Sequence, residues 1–263
     1  MERSLRSHLA FDVHGDVRLH LAIQVSPWTA VADALQVELD GVSLDLEEIV
    51  DAHGTRWQLA DVPTGRLEID YSATVTGRAD PVQVLPTDEL DFTRPSRYCE
   101  SDTLQPFASA EFAGLEGTAL LAAVREWVST RLAYDLGSTQ PTDGAVATLL
   151  RGRGVCRDFA HLVVALLRAL DVPARLVSVY APGLSPMDFH AVAEALIDGQ
   201  WLVVDATGLA PRQSLTRIAT GRDAADTAFV STLNAPVDLL EIEVLATADV
   251  LPRDDLDAAV ALG

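Results

Sequence analysis

The chain has 263 residues, 49% of them hydrophobic, enough for one large folded unit or two modest ones. Acidic side chains outnumber basic ones by 39 to 19, a formal net charge of −20 that repels phosphate backbones and anionic lipid, so neither nucleic acid nor a membrane is an expected partner. No run reaches the about 18 apolar residues of a membrane span, the first residues are charged throughout, and the cytoplasm is the expected compartment, with Cys99 and Cys156 as free thiols.

Residues 1–80 read as a β-rich N-terminal domain of sandwich type. Val17, Leu19, Leu21, Ile23 and Val25 alternate onto one face, Leu67, Ile69, Tyr71, Ala73 and Val75 repeat the pattern, and Asp40-Gly41 marks a hairpin between them. His8, His14 and His20 would share a face only if one strand ran through all three, and the His14-Gly15-Asp16 turn interrupts it. No EF-hand spacing is present either, so neither a metal nor a cofactor is expected. Residues 81–108 form a connecting segment in which Pro81, Pro86, Pro95 and Pro106 break regular structure.

Residues 109–250 change character. Leu120, Ala123, Val124, Trp127, Val128 and Leu132 lie on a helical stripe, and a shorter helix over "AVATLLRGR" leads into "GRGVCRDFAHLVVALLRAL". There Val155, Phe159, Leu162, Val163, Leu166 and Leu170 form an apolar face, with Ala160, Val164 and Ala165 leaving little wet surface, so this helix is expected to be central and buried. It ends at "DVPAR", and strands over "RLVSVYA" and "HAVAEALIDGQWLVVDA" follow, the second stretch being two strands joined at Asp198-Gly199. A last strand lies in "VDLLEIEVLATADV", and residues 251–263 read as a loose acidic tail.

The Asp198-Gly199 hairpin fixes a register. Paired positions sum to 397, which sets Val192 opposite Asp205 and places His190 diagonally across from that carboxylate, within reach of a shared hydrogen bond. A thiol nucleophile needs such a base and a group that holds it. Cys156 has the complementary setting: a helix N-terminus flanked by Arg153 and Arg157, which favours a thiolate and offers N–H groups to an oxyanion. Against this stands the plain alternative that a helix cysteine is a small buried hydrophobe. His161 falls some 140° around the helix from Cys156 and belongs with the polar positions Arg157 and Arg168, while Asp158 reads as first-turn charge. Cys99 and Trp127 read as packing residues, Trp201 as a cover for the site, and Glu194 as a polar neighbour or a structural hydrogen-bonder.

"GVCRDFAHL", a histidine opening a strand 34 residues after the cysteine, and an aspartate 15 further on after "WLVV" resemble bacterial transglutaminase-like proteins of the papain-like cysteine protease superfamily. The segments "PSRYCESD" and "IATGRDAADTAF" are similar as well. The resemblance implies an α+β fold in which a β-sandwich-like domain precedes a transglutaminase-like domain with a central helix on an antiparallel sheet. It implies Cys156 as nucleophile, His190 as general base and acid, and Asp205 as the orienting residue. Many relatives follow the histidine with Ala-Trp, whereas Val192 stands in the tryptophan's place here, which bears on the shape of the cleft. The implied chemistry is thiol-dependent hydrolysis of a peptide or protein amide. Transfer of the acyl group to an amine, or a binding module that keeps the fold without turnover, are the alternatives.

Overall fold

The structure is a computed structural model that describes residues 1–256 and 258–262. Alternating apolar positions in the first part of the chain build β1 (Glu2–Val13), β2 (Val17–Leu21), β3 (Ala30–Leu39), β4 (Val42–Ser43), β5 (Glu47–Val50), β6 (Arg56–Val62) and β7 (Gly65–Thr76). The hairpin expected at Asp40-Gly41 forms with Leu39 opposite Val42, both turn residues taking the positive φ such a turn requires. Leu9, Leu19, Leu21, Ile69 and Val75 are fully buried between two sheets, so this part is a sandwich.

The segment expected to be irregular contains α1 (Asp88–Asp91) and most of α2 (Ser101–Glu111), and Pro106 lies inside α2. A proline inside a helix forfeits one hydrogen bond. Here Leu104 and Ala108 bury completely against the central helix, and that burial offsets the loss. Beyond it run α3 (Gly117–Arg131), β8 (Ala133–Tyr134), α4 (Ala145–Arg151), β9 (Arg153–Gly154) and α5 (Cys156–Arg168). From Phe159 to Leu167 every side chain of α5 is buried, the polar His161 among them.

α5 lies on one face of an antiparallel sheet made of β10 (Ala174–Tyr180), β11 (Phe189–Ile197), β12 (Gln200–Val204) and β13 (Thr216–Gly221), in the order β12-β11-β10-β13. Ala193, Ala195, Leu202 and Val204 face the helix, while Val177, Val192 and Val203 form a separate apolar cluster. After α6 (Ala224–Thr227) the chain returns to the sandwich. β14 (Val230–Leu233) pairs with β2, and β15 (Val237–Ala248) pairs with β1 along most of its length. Residues up to 250 therefore do not all lie in the second unit: its last two strands complete the first. The two units also share a core, since Tyr180, Ile218 and Ala219 pack among sandwich residues, with the Tyr180 ring on Tyr71 and its hydroxyl donating to Ile23 O at 3.0 Å.

The acidic tail is not loose in its described part. Val260 O accepts from Val203 N–H at 2.7 Å on the outer edge of β12, Leu262 is buried, and Asp254 takes the Arg212 guanidinium at 3.0 Å. Asp257 and Gly263 of that tail lie outside the described residues.

A charged cluster lies within this core. Glu194, fully buried, accepts from Arg175 Nε at 2.8 Å and from Arg217 Nη2 at 2.6 Å. The Arg175 guanidinium rests over the Trp201 ring at 3.8 Å, and Trp201 meets Phe92 edge-on. Burial outweighs Glu194 and brings Arg175 down to about 10. Trp201 thus packs under an arginine instead of covering the site, and Glu194 is the structural member of its two sequence readings.

Candidate active site

The glycines of "RGRGVC" deliver the cysteine. Gly152 closes α4 with φ +68, a left-handed turn that suits glycine, and a Cβ on Gly154 would stand 2.6 Å from Asp158 Cβ. The chain then enters α5 with Cys156 in its first turn, half-buried, where backbone N–H groups lack helical acceptors. Asp158 Oδ2 accepts one of them, from Val155 at 2.9 Å. Its Oδ1 accepts from Arg157, whose guanidinium also donates to Gln140 O at 3.0 Å and so ties the "GSTQ" loop to the helix start.

β8 pairs parallel with β9, setting Tyr134 beside Gly154, two residues before the thiol. Tyr134 lies near enough to Cys156 to interact with it, and burial together with that thiol pushes its pKa up to about 12. Sequence reasoning missed this residue, because nothing in "RLAYDL" announces a parallel contact with a loop twenty residues on.

His190 opens β11 and is fully buried. Its Nε2 faces Asp205 Oδ2 at 3.5 Å, and that carboxylate oxygen has no other partner. The β11–β12 register follows the expected sum through Ala193 and Val204, one step short of Asp205. Asp205 has left the strand and turns back on the next residues: its Oδ1 accepts from Thr207 N–H at 2.8 Å and from Thr207 Oγ1 at 2.7 Å. The Asp-Ala-Thr sequence is an Asx-turn signal that could have found Thr207. Nδ1, the other ring nitrogen, is buried without a hydrogen-bond partner among the described residues, which leaves it open to the thiol side of the ring. Burial opposes a charged imidazole, but interaction with Asp205 and with Cys156 overcomes it and holds His190 up at about 10. At neutral pH the ring is therefore an imidazolium between a carboxylate and a sulfur. Burial alone would raise Asp205, yet the His190 partnership lowers it.

The structure thus brings Cys156, His190 and Asp205 together, at a cavity of about 610 Å³ lined by Cys156, His190, Tyr98, Phe189 and Phe229. A larger cavity of about 770 Å³, between β5, β6 and α6, contains none of the three. Val192, in the place of the family's tryptophan, packs with Val177 and Val203 and does not line the cleft. Cys99 is fully buried, its Sγ 3.6 Å from His161 O, and burial pushes its thiol up to about 12. His161 is buried too, its Nε2 accepting from Ala224 N–H at 3.1 Å, and burial lowers it to about 4, so it is neutral and bonded inside the core instead of on a wet stripe. His8 and His14 pair with Asp70 and Asp238 on the sandwich surface, while His20 sits at the larger cavity.

A central helix presenting a thiol to a histidine on an antiparallel sheet defines the class of papain-like thiol-dependent enzymes. The chain belongs to the transglutaminase-like superfamily, which residues 113–206 match. The crystal structure of a candidate cysteine protease from Cytophaga hutchinsonii is similar to the whole chain, with a TM-score of 0.88 and 31% identity over 100% of this chain and 98% of that one. An uncharacterized protein of Mycobacterium leprae is 31% identical over 122 residues, 42% of each chain. Another, of Mycobacterium bovis, is 30% identical over 181 residues, 50% of this chain and 57% of its own. The matched stretches span about half the length of these two curated relatives.

Proposed function

We propose that the protein hydrolyses amides of peptides or proteins through an acyl-enzyme on Cys156. The reading is carried by one observation: the thiol and the Asp205 carboxylate both bear on the buried His190 ring. Sulfur attacks the substrate carbonyl, and the electron pair displaced onto oxygen is met by the N–H groups at the start of α5 and by the Tyr134 hydroxyl. His190 gives its proton to the leaving amine, then takes one from water as that water attacks the thioester, and the acid is released. Asp205, anchored by Thr207, keeps Nε2 occupied so that Nδ1 faces the reacting atoms. The 3.5 Å contact is long, and such contacts tighten when substrate fills the site. The cytoplasm is the compartment proposed with this reading, and the chemistry asks only for thiol, imidazole, carboxylate and water.

Membership of the superfamily favours a second reading, in which an amine replaces water and the acyl group is transferred. One experiment separates the two. The protein and its Cys156→Ala variant are incubated with a protein and peptide panel in the presence of a fluorescent primary amine, and products are read by mass spectrometry. Cleavage without amine incorporation selects hydrolysis, and incorporation selects transfer. No turnover on the panel by a protein whose Cys156 still alkylates selects the binding module.

A further inference from the structure

The segment "PSRYCESD" has no part in the chemistry above, yet it is fastened to α5 through Ser96, Tyr98 and Cys99, and to α4 and the loop before α6 through Tyr98. Arg168 Nη1 donates to Arg94 O at 3.1 Å and to Ser96 Oγ at 3.0 Å. Cys99 Sγ meets His161 O, Tyr98 N–H donates to Asp223 Oδ2 at 2.8 Å, and Ala145 N–H donates to Tyr98 O at 2.8 Å. This fastening leaves the side chains of Arg97 and Tyr98 lining the same cavity as Cys156 and His190.

There they form a stack. The Tyr98 ring lies nearly parallel to the neutral His161 imidazole, with centroids 5.4 Å apart, and the Arg97 guanidinium sits 5.5 Å from the Tyr98 ring centre. Arg157, the other arginine of the cavity, is neutralised by Asp158. Arg97 has no carboxylate within ion-pair distance among the described residues, in a chain where acidic side chains outnumber arginines two to one. An arginine fixed by stacking, at a cleft wall and without a counter-charge, presents a planar fork of donors that matches a carboxylate.

We propose that Arg97, held on Tyr98, is the subsite for a carboxylate of the substrate, so that the cleft selects acidic peptides, with an aspartyl or glutamyl side chain or a chain terminus near the amide that is cut. The proposal rests on the reading of Cys156 as the nucleophile. Asp188 also lines the cavity and Arg157 is paired with Asp158, so Arg97 is the cavity arginine left to capture such a ligand on a chain of net negative charge.

Charged methanethiosulfonates test it without knowledge of the substrate, since thiolate attack forms a mixed disulfide on Cys156 and expels methanesulfinate. Rates at Cys156 are measured by mass spectrometry for the neutral methyl reagent and for the anionic 2-carboxyethyl reagent, in the full chain and in Arg97→Ala and Arg97→Lys. The expected result is a carboxyethyl-to-methyl rate ratio about tenfold lower in Arg97→Ala. Arg97→Lys recovers part of the ratio, and the methyl rate is unchanged in both variants. An unchanged ratio in Arg97→Ala, with Cys156 still reacting with the methyl reagent, overturns the subsite. If Cys156 of the unaltered protein does not react with the methyl reagent, the nucleophile reading itself falls and takes the subsite with it.

Discussion

Replacing Glu194 by glutamine removes the negative centre of the buried cluster while keeping its shape. In the folded protein that carboxylate takes Arg175 Nε at 2.8 Å and both outer nitrogens of Arg217, at 3.1 and 2.6 Å. Without it, two guanidinium groups shielded from water are left facing each other, and removing one partner of a buried pair costs about 3–5 kcal/mol. A chain of this size loses about 2–4 °C of Tm per kcal/mol, so the expected drop is roughly 6–20 °C.

The pH dependence carries a second signature of the same cluster. Burial opposes ionisation of Glu194, but Arg217 and Arg175 outweigh it and lower its pKa below the usual 4.5. The unfolded chain therefore binds this proton first as pH falls, so the stabilisation is complete above 4.5 and is lost on descending through the folded value. Urea unfolding from pH 7 to pH 3 should show the two proteins far apart at neutral pH and converging in acid. His161, held neutral by burial, also costs stability in acid, but equally in both proteins, so it cancels in the difference. A loss under about 1 kcal/mol at pH 7, or a difference that does not shrink in acid, would show that the cluster is not the charged keystone described above.

Cys156→Ala should abolish turnover and remove all iodoacetamide labelling at pH 7, because Cys99, pushed up to about 12, stays silent until the chain unfolds; peptide mapping after labelling reads both sites. Asp205→Asn takes away a partner that raises His190, so the alkaline limb of the Cys156 alkylation profile should move to lower pH, and kcat/KM should fall about 10²–10⁴-fold. An unmoved limb would mean that Asp205 does not bear on the ring. Tyr134→Phe removes the hydroxyl near Cys156 and should lower kcat by about tenfold or more with little change in KM, as steady-state kinetics on a cleaved substrate would reveal.

The parts of the fold that a local pattern encodes were legible in the sequence. The apolar face through Phe159, Leu162, Val163 and Leu166, with small residues between, specified a buried helix, and Asp198-Gly199 specified a register accurate enough to bring His190 toward Asp205. Pairings across long stretches of chain were not legible. Nothing near Val237 says that its strand will lie against β1, or that β8 will set Tyr134 beside Gly154, because such contacts are chosen by the assembled core. Pro106 misled for a related reason: local preference argued against a helix that tertiary packing then supplied. The partners of Glu194 were hidden likewise, Arg175 and Arg217 being separate in sequence and meeting only when β10, β11 and β13 align.

The pairing of β15 with β1 also sets an order of events on the ribosome. β1 leaves the ribosome more than two hundred residues ahead of β15, one of its two neighbours, and throughout that interval it carries a row of unsatisfied N–H and C=O groups. The sandwich is sealed only after the sheet that carries His190 has been made. A nascent chain stalled anywhere before residue 237 would expose a sticky margin that holdase chaperones recognise, and completion of the final strand would be the event that releases it.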